Sequence, residues 1–122
     1  MSYCPFCDAK PVFIAENQYA FSIPDQYPVS TGHSLVIPKD HVASIFDLSL
    51  DSYTGCFELL REVKTTIEKL FEPAGFNFGF NCGVSAGQTV EHAHIHVIPR
   101  YTGDVPNPRG GVRNVIPGKG DY

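Results

Sequence analysis

The chain has 122 residues, 43% hydrophobic and 18% charged, values that suit one ordered domain with a single core and exclude wholesale disorder. Nine Lys and Arg against thirteen Asp and Glu give a formal charge of −4, so no basic face is available for a nucleic-acid backbone. A small anion can still be held in a locally positive pocket. No apolar run approaches the ~20 residues that span a bilayer, and MSYCPFCDAK lacks the regions of a secretory signal. The expectation is a cytoplasmic protein with reduced thiols, without a membrane or a nucleic-acid polymer as partner.

In chain order, CPFC at 4–7 has the two-residue spacing that lets two thiolates bind one tetrahedral zinc. A dithiol redox pair and two inert thiols are the alternatives, although no thioredoxin-type strand–helix unit follows. Phe13 to Ile23 alternates around Glu16, Asn17 and Gln18 as a hairpin of two strands, broken by Pro24 and Pro28 into the loop DQYPVSTG. His33 to Ile37 forms a third strand.

Over 49–71 the period changes to three and four, with Tyr53, Cys56, Phe57, Leu60, Val63, Ile67, Leu70 and Phe71 on one stripe. The spacing predicts a core-facing helix capped by Ser49 and ended by Pro73 and Gly75. FNFGFNCG at 76–83 is the fourth strand and 91–98 the fifth, separated by the loop VSAGQT. Residues 102–122 form an irregular Gly- and Pro-rich tail of the single domain 1–122. The fold class expected is α+β, a mostly antiparallel five-stranded sheet with one long helix.

All five histidines fall in two stretches, GHSLVIPKDH and EHAHIHVIPR. On a strand, alternate side chains share a face, so His92, His94 and His96 project together while Ala93, Ile95 and Val97 pack oppositely. Three readings follow: a solvated polar face, a catalytic metal held by an HxH pair, or nucleophilic catalysis by imidazole. The preceding loop favours the last. Gly83 and Gly87 offer backbone N–H groups, Asn81, Gln88 and Thr89 add neutral donors, and no carboxylate shares the face, an environment for phosphate rather than a bare metal.

GQTVEHAHIHVIPR, together with GHSLVIPKDH, the aromatic strand ending in Asn81 and the intervening helix, resembles the histidine triad family of nucleotide hydrolases and transferases over about residues 4 to 101. The resemblance implies attack by His94 on the α-phosphate of a purine nucleotide derivative through a covalent nucleotidyl-histidine. His96 would stabilise charge. Asn81, Gly87, Gln88 and Thr89 would lie about the phosphate or leaving group, and Asp25 would hold the ribose, unless it serves only as an Asx-type turn residue. Ile23 and Phe21 would border the base.

The N-terminal CxxC resembles that of bacterial-type members, in which a structural zinc is held. By that resemblance the ligands here are Cys4, Cys7, His41 and His92, and no catalytic metal is required. Homodimers are common in the family, so a homodimer is expected. Dinucleoside polyphosphates and nucleoside phosphoramidates are both candidate substrates, and Arg109, Arg113 and Lys119 either meet distal phosphates or solubilise the tail. The alternatives are a non-catalytic nucleotide-binding module and an HxH metalloenzyme.

Overall fold

The computed structural model describes residues 3–8 and 12–122. Its elements are β1 (Ala15–Glu16), β2 (Ala20–Pro24), β3 (Ser34–Pro38), helix α1 (Leu50–Phe71), β4 (Gly75–Gly79) and β5 (Ile95–Arg100), with three short 3-10 turns. The strands form one sheet in the order β1-β2-β3-β5-β4, every neighbouring pair antiparallel. The expected five-stranded antiparallel sheet with one long helix is therefore the observed fold. No helix among the described residues is long and apolar enough to cross a membrane.

Helix α1 starts where expected, with the Ser49 hydroxyl accepting from the Ser52 N–H, and ends at Glu72 in the left-handed region. Its buried stripe is Ser52, Gly55, Cys56, Leu59, Val63 and Ile67. This stripe is rotated slightly from the one read in the sequence: Leu59 is central, whereas Leu70 is 65% exposed. The helix covers the face of the sheet that carries Ala20, Val36, Ile95 and Val97. The opposite face carries a smaller cluster, Phe21, Leu35 and Ile37, against which Phe6 and Ile23 pack.

The expected hairpin is tighter than the alternation suggested. Asn17 Oδ1 accepts the N–H groups of Tyr19 and Ala20, and its Nδ2 donates to the Gly55 carbonyl of α1, so one side chain closes the turn and ties it to the helix. Two other strands are shorter than expected. β4 stops at Gly79 instead of reaching Gly83, and β5 begins at Ile95, leaving residues 91–94 outside the ladder. The register pairs Gly79 with His96; beyond it the chain is drawn apart by the 84–86 turn on one side and by the His92 environment on the other.

In the tail, Gly111–Val115 form a 3-10 turn. The guanidinium groups of Arg109 and Arg113 stack on Tyr122, and Arg113 Nε donates to the Lys119 carbonyl.

Candidate active site

β5 lies between β3 and β4, with Leu35 opposite His96. This register places His33, just before β3, beside His96: their Nε2 and Nδ1 atoms are 2.9 Å apart. Asp25, at the end of β2, contributes Oδ2 at 3.4 Å from His33 Nε2 and 3.9 Å from His96 Nδ1. The other carboxylate oxygen of Asp25 accepts the Tyr27 N–H. Asp25 is thus both an Asx-turn residue and part of the site.

The hydrogen bonds fix which nitrogen of each ring carries its proton. His94 Nδ1 lies 2.8 Å from the His92 carbonyl, which only accepts, so Nδ1 is protonated and Nε2 keeps its lone pair. The Val29 N–H donates to His33 Nδ1, so neutral His33 carries its proton on Nε2 and donates it to His96 Nδ1. His96 is consequently protonated on Nε2. Adjacent rings, 5.2 Å between centroids, present opposite capacities: a nucleophilic nitrogen on His94 and a donor on His96. Burial holds both His33 and His96 below the ordinary histidine range; for His96 the neighbouring imidazoles His94 and His33 add to it.

His94 and His96 line a cleft of about 760 Å³ together with Phe6, Ile23, Asp25, Leu35, Asn81, Gly87 and Thr89. The apolar walls are Ile23, Leu35 and Phe6. Phe21 sits behind them in the packed cluster rather than in the cleft, which corrects the expected border of two residues. Arg109, Arg113 and Lys119 are not among the described lining residues.

Two residues of the loop before β5 have their hydrogen-bonding groups engaged within the chain. The Gly87 N–H is held by the Val84 carbonyl within the 84–86 turn. The Gln88 amide is fully engaged, accepting the Gly83 N–H and donating to the carbonyls of Ala43 and Val90. Both residues shape the loop, and Gly83 and Gly87, at φ +92° and +95°, permit its turns. Asn81 and Thr89 remain at the cleft wall.

His92 is fully buried and faces different company. Its Nε2 donates to the Pro38 carbonyl at 2.8 Å, leaving Nδ1 unprotonated. That lone pair lies 3.5 Å from both Cys4 Sγ and Cys7 Sγ and 3.1 Å from His41 Nδ1, while Cys7 Sγ is 3.1 Å from His41 Nδ1. The four ligand atoms lie within 4.8 Å of one another. Ligands of a tetrahedral zinc at bond lengths of about 2.0–2.3 Å stand roughly 3.3–3.8 Å apart, so the cluster has the spacing of such a site. The crowding pushes the Cys7 thiol pKa upward, first through its hydrogen bond with Cys4 and then through burial.

Asp25, His33 and His96 also have metal-like spacing. The Val29 N–H excludes that use, because His33 Nε2 must then carry a proton and cannot ligate. Among the described residues, His94 belongs to neither group.

Sequence reasoning did not assign His33 or Phe6. His33 was visible in GHSLVIPKDH, but its partner depends on β5 entering between β3 and β4. Phe6 was visible only as a spacer in CPFC. Its ring meets those of His92 and His94 edge-on, at centroid distances of 5.8 and 5.0 Å.

Known proteins share both sequence and fold with this chain. Over 77 residues the chain is 44% identical to the bis(5'-nucleosyl)-tetraphosphatase (asymmetrical) of Schizosaccharomyces pombe, covering 63% of this chain and 42% of that protein. A crystal structure of a HIT family protein from Bacillus anthracis superposes with TM-score 0.77 at 36% identity, covering 83% of this chain and 75% of that one. A Zn-bound histidine triad family protein from Mycobacterium smegmatis gives TM-score 0.75 at 34% identity, covering 83% and 77%. The HIT domain model matches residues 8–103, most of the chain. By its sequence, its sheet order and the geometry about its histidines, this chain belongs to the HIT domain family.

Proposed function

We propose that the protein cleaves a purine nucleotide derivative at its α-phosphate, taking a dinucleoside polyphosphate or a nucleoside phosphoramidate, through a covalent nucleotidyl intermediate on His94. The observation that carries this reading is the bond between His94 Nδ1 and the His92 carbonyl, which leaves Nε2 as the only lone pair on that ring. The name of the Schizosaccharomyces pombe relative, a bis(5'-nucleosyl)-tetraphosphatase, supports the substrate class.

In the first step the Nε2 lone pair bonds to phosphorus and the bond to the leaving group breaks, its electron pair departing with the leaving atom. The ring becomes cationic, and the His92 carbonyl stabilises that charge through the Nδ1 proton. His96, protonated on Nε2, donates to a phosphoryl oxygen as negative charge develops there. Water then attacks phosphorus and loses a proton to solvent, the P–N bond breaks with its electron pair returning to Nε2, and the nucleoside monophosphate leaves with the His94 lone pair restored. Asn81 and Thr89 contact the phosphate or leaving group, Gly87 and Gln88 hold the loop around it, and Asp25 holds the ribose while orienting His33.

Zinc at Cys4, Cys7, His41 and His92 is structural in this reading. All four positions are filled by protein ligands, so the ion braces the N-terminal segment and takes no part in the reaction. The Zn-bound Mycobacterium smegmatis relative supports the choice of metal. The functional unit is a homodimer, which the unpaired edge of β4 and the aromatic group Phe46, Tyr53, Phe57 and Phe80 favour.

The test mixes protein with diadenosine polyphosphates and adenosine phosphoramidates, quenches, and weighs the intact chain by mass spectrometry. An acid-labile adduct of one adenylate, present in the wild type and absent from His94→Ala, is expected. A non-catalytic binding module would bind the nucleotide and give no adduct, and that outcome would overturn the proposal.

A further inference from the structure

Residues 3–8 serve two places at once. Cys4 and Cys7 reach His41 and His92, while Tyr3, Pro5 and Phe6 line the cleft. The segment closes on itself through Asp8 N–H to the Cys4 carbonyl and Cys7 N–H to Cys4 Sγ. Among the described residues, no backbone hydrogen bond joins it to the sheet. Its anchors are side chains: two thiols on the imidazole pair, and the Phe6 ring on the cluster of Phe21, Leu35 and Ile37. His92 forms the junction, since its Nδ1 meets the thiols, its ring meets Phe6, and its carbonyl holds His94.

From this we infer that metal occupancy at Cys4, Cys7, His41 and His92 controls nucleotide affinity, with Phe6 as the positioning residue that couples the two sites. The inference rests on the nucleotide reading of the cleft. With the metal bound, four ligand atoms share one cation and residues 3–8 are clamped, so Phe6 and Tyr3 complete the apolar wall facing Ile23 and Leu35. Without it, two thiols and two imidazoles crowd together with no shared cation, and packing of one phenyl ring remains to hold the wall. Any ligand that binds against that wall stabilises the clamped segment, so by linkage the nucleotide must tighten the metal by the same factor as the metal tightens the nucleotide.

The probes are adenosine 5'-monophosphate and zinc. Calorimetric titration of the zinc-loaded and the chelated full chain is expected to show about tenfold weaker binding of the monophosphate without metal, the factor that one lost aromatic contact carries. The zinc affinity, read at equilibrium by competition with a chromophoric chelator, is expected to rise by the same factor when the monophosphate is saturating. Phe6→Ala is expected to retain one zinc per chain, to bind the monophosphate weakly, and to give equal affinity with and without metal.

Equal affinities for the two wild-type forms, zinc affinity indifferent to the nucleotide, or failure of the chain to take up zinc would each overturn the coupling. If Phe6→Ala does not fold by circular dichroism, Phe6→Leu and the reciprocal measurement on wild type decide the matter. Absence of monophosphate binding to the zinc-loaded chain would instead sink the nucleotide reading itself, and is thereby distinguished.

Discussion

His94→Ala removes a ring that is only partly buried and whose main tether is its own neighbour's carbonyl, so the fold should survive it. Turnover of a diadenosine polyphosphate is expected to fall by a factor on the order of 10³ or more, with an unchanged circular dichroism spectrum. His33→Asn tests a subtler role. Loss of the Nε2 donor frees the His96 tautomer, and kcat should drop about 10- to 100-fold, the effect of one orienting hydrogen bond, while KM changes little. Burial depresses the His96 pKa most, and the charges that His94 and His33 can carry add to it. Removing the His33 charge raises the His96 pKa, so the acid limb of the pH–rate profile should move to higher pH. An unaltered profile and rate would take His33 out of the site.

Elements are held by contacts whose sign can be argued. Gly55 faces the hairpin: a Cβ there would lie 2.5 Å from Tyr19 Cδ2 and 2.7 Å from its Cβ. Gly55→Ala gains about 1 kcal/mol of helix propensity but forces apart a contact costing about 1–3 kcal/mol, so the denaturation midpoint should fall. Ser22 works the other way. Its buried hydroxyl has no hydrogen-bond partner among the described residues, and Ser22→Ala should stabilise the chain by about 1 kcal/mol in urea titration. The helix was legible because its period persists for 22 residues, whereas strand ends were not. Phe80 and Asn81 keep the alternation of β4, yet the ladder ends at Gly79 because Gln88 folds the following segment onto Ala43 and Val90. No local pattern announces that side-chain bracing.

Across the whole molecule, acid should be destabilising. His33 and His96 have folded values below the ordinary 6.5, so the unfolded chain binds protons at a pH where the folded chain does not. Their contribution is complete above about pH 6.5 and is lost as the pH falls toward the folded values. Urea midpoints between pH 7.5 and 5.5 should decline, and less steeply in His33→Asn; a flat dependence would contradict the burial argument.

Elemental analysis should find about one zinc per chain, absent from Cys4→Ser. Residue type and spacing single out CPFC and the two histidine stretches, but the grouping of Cys4 and Cys7 with His41 and His92 comes from resemblance to the family, not from spacing. The contacts of His33 with His96, and of Phe6 with both His92 and His94, depend on strand order and on where a terminal segment lands.

The placement of β5 also dictates when a growing polypeptide acquires its chemistry. β3 and β4 are both made before β5 but have no hydrogen-bonded partner between them until it arrives. Cys4 emerges 88 positions ahead of His92 and must wait, reduced, through most of translation for that imidazole. A nascent chain released from the ribosome short of residue 92 would therefore be an open half-sheet lacking His92, His94 and His96 altogether.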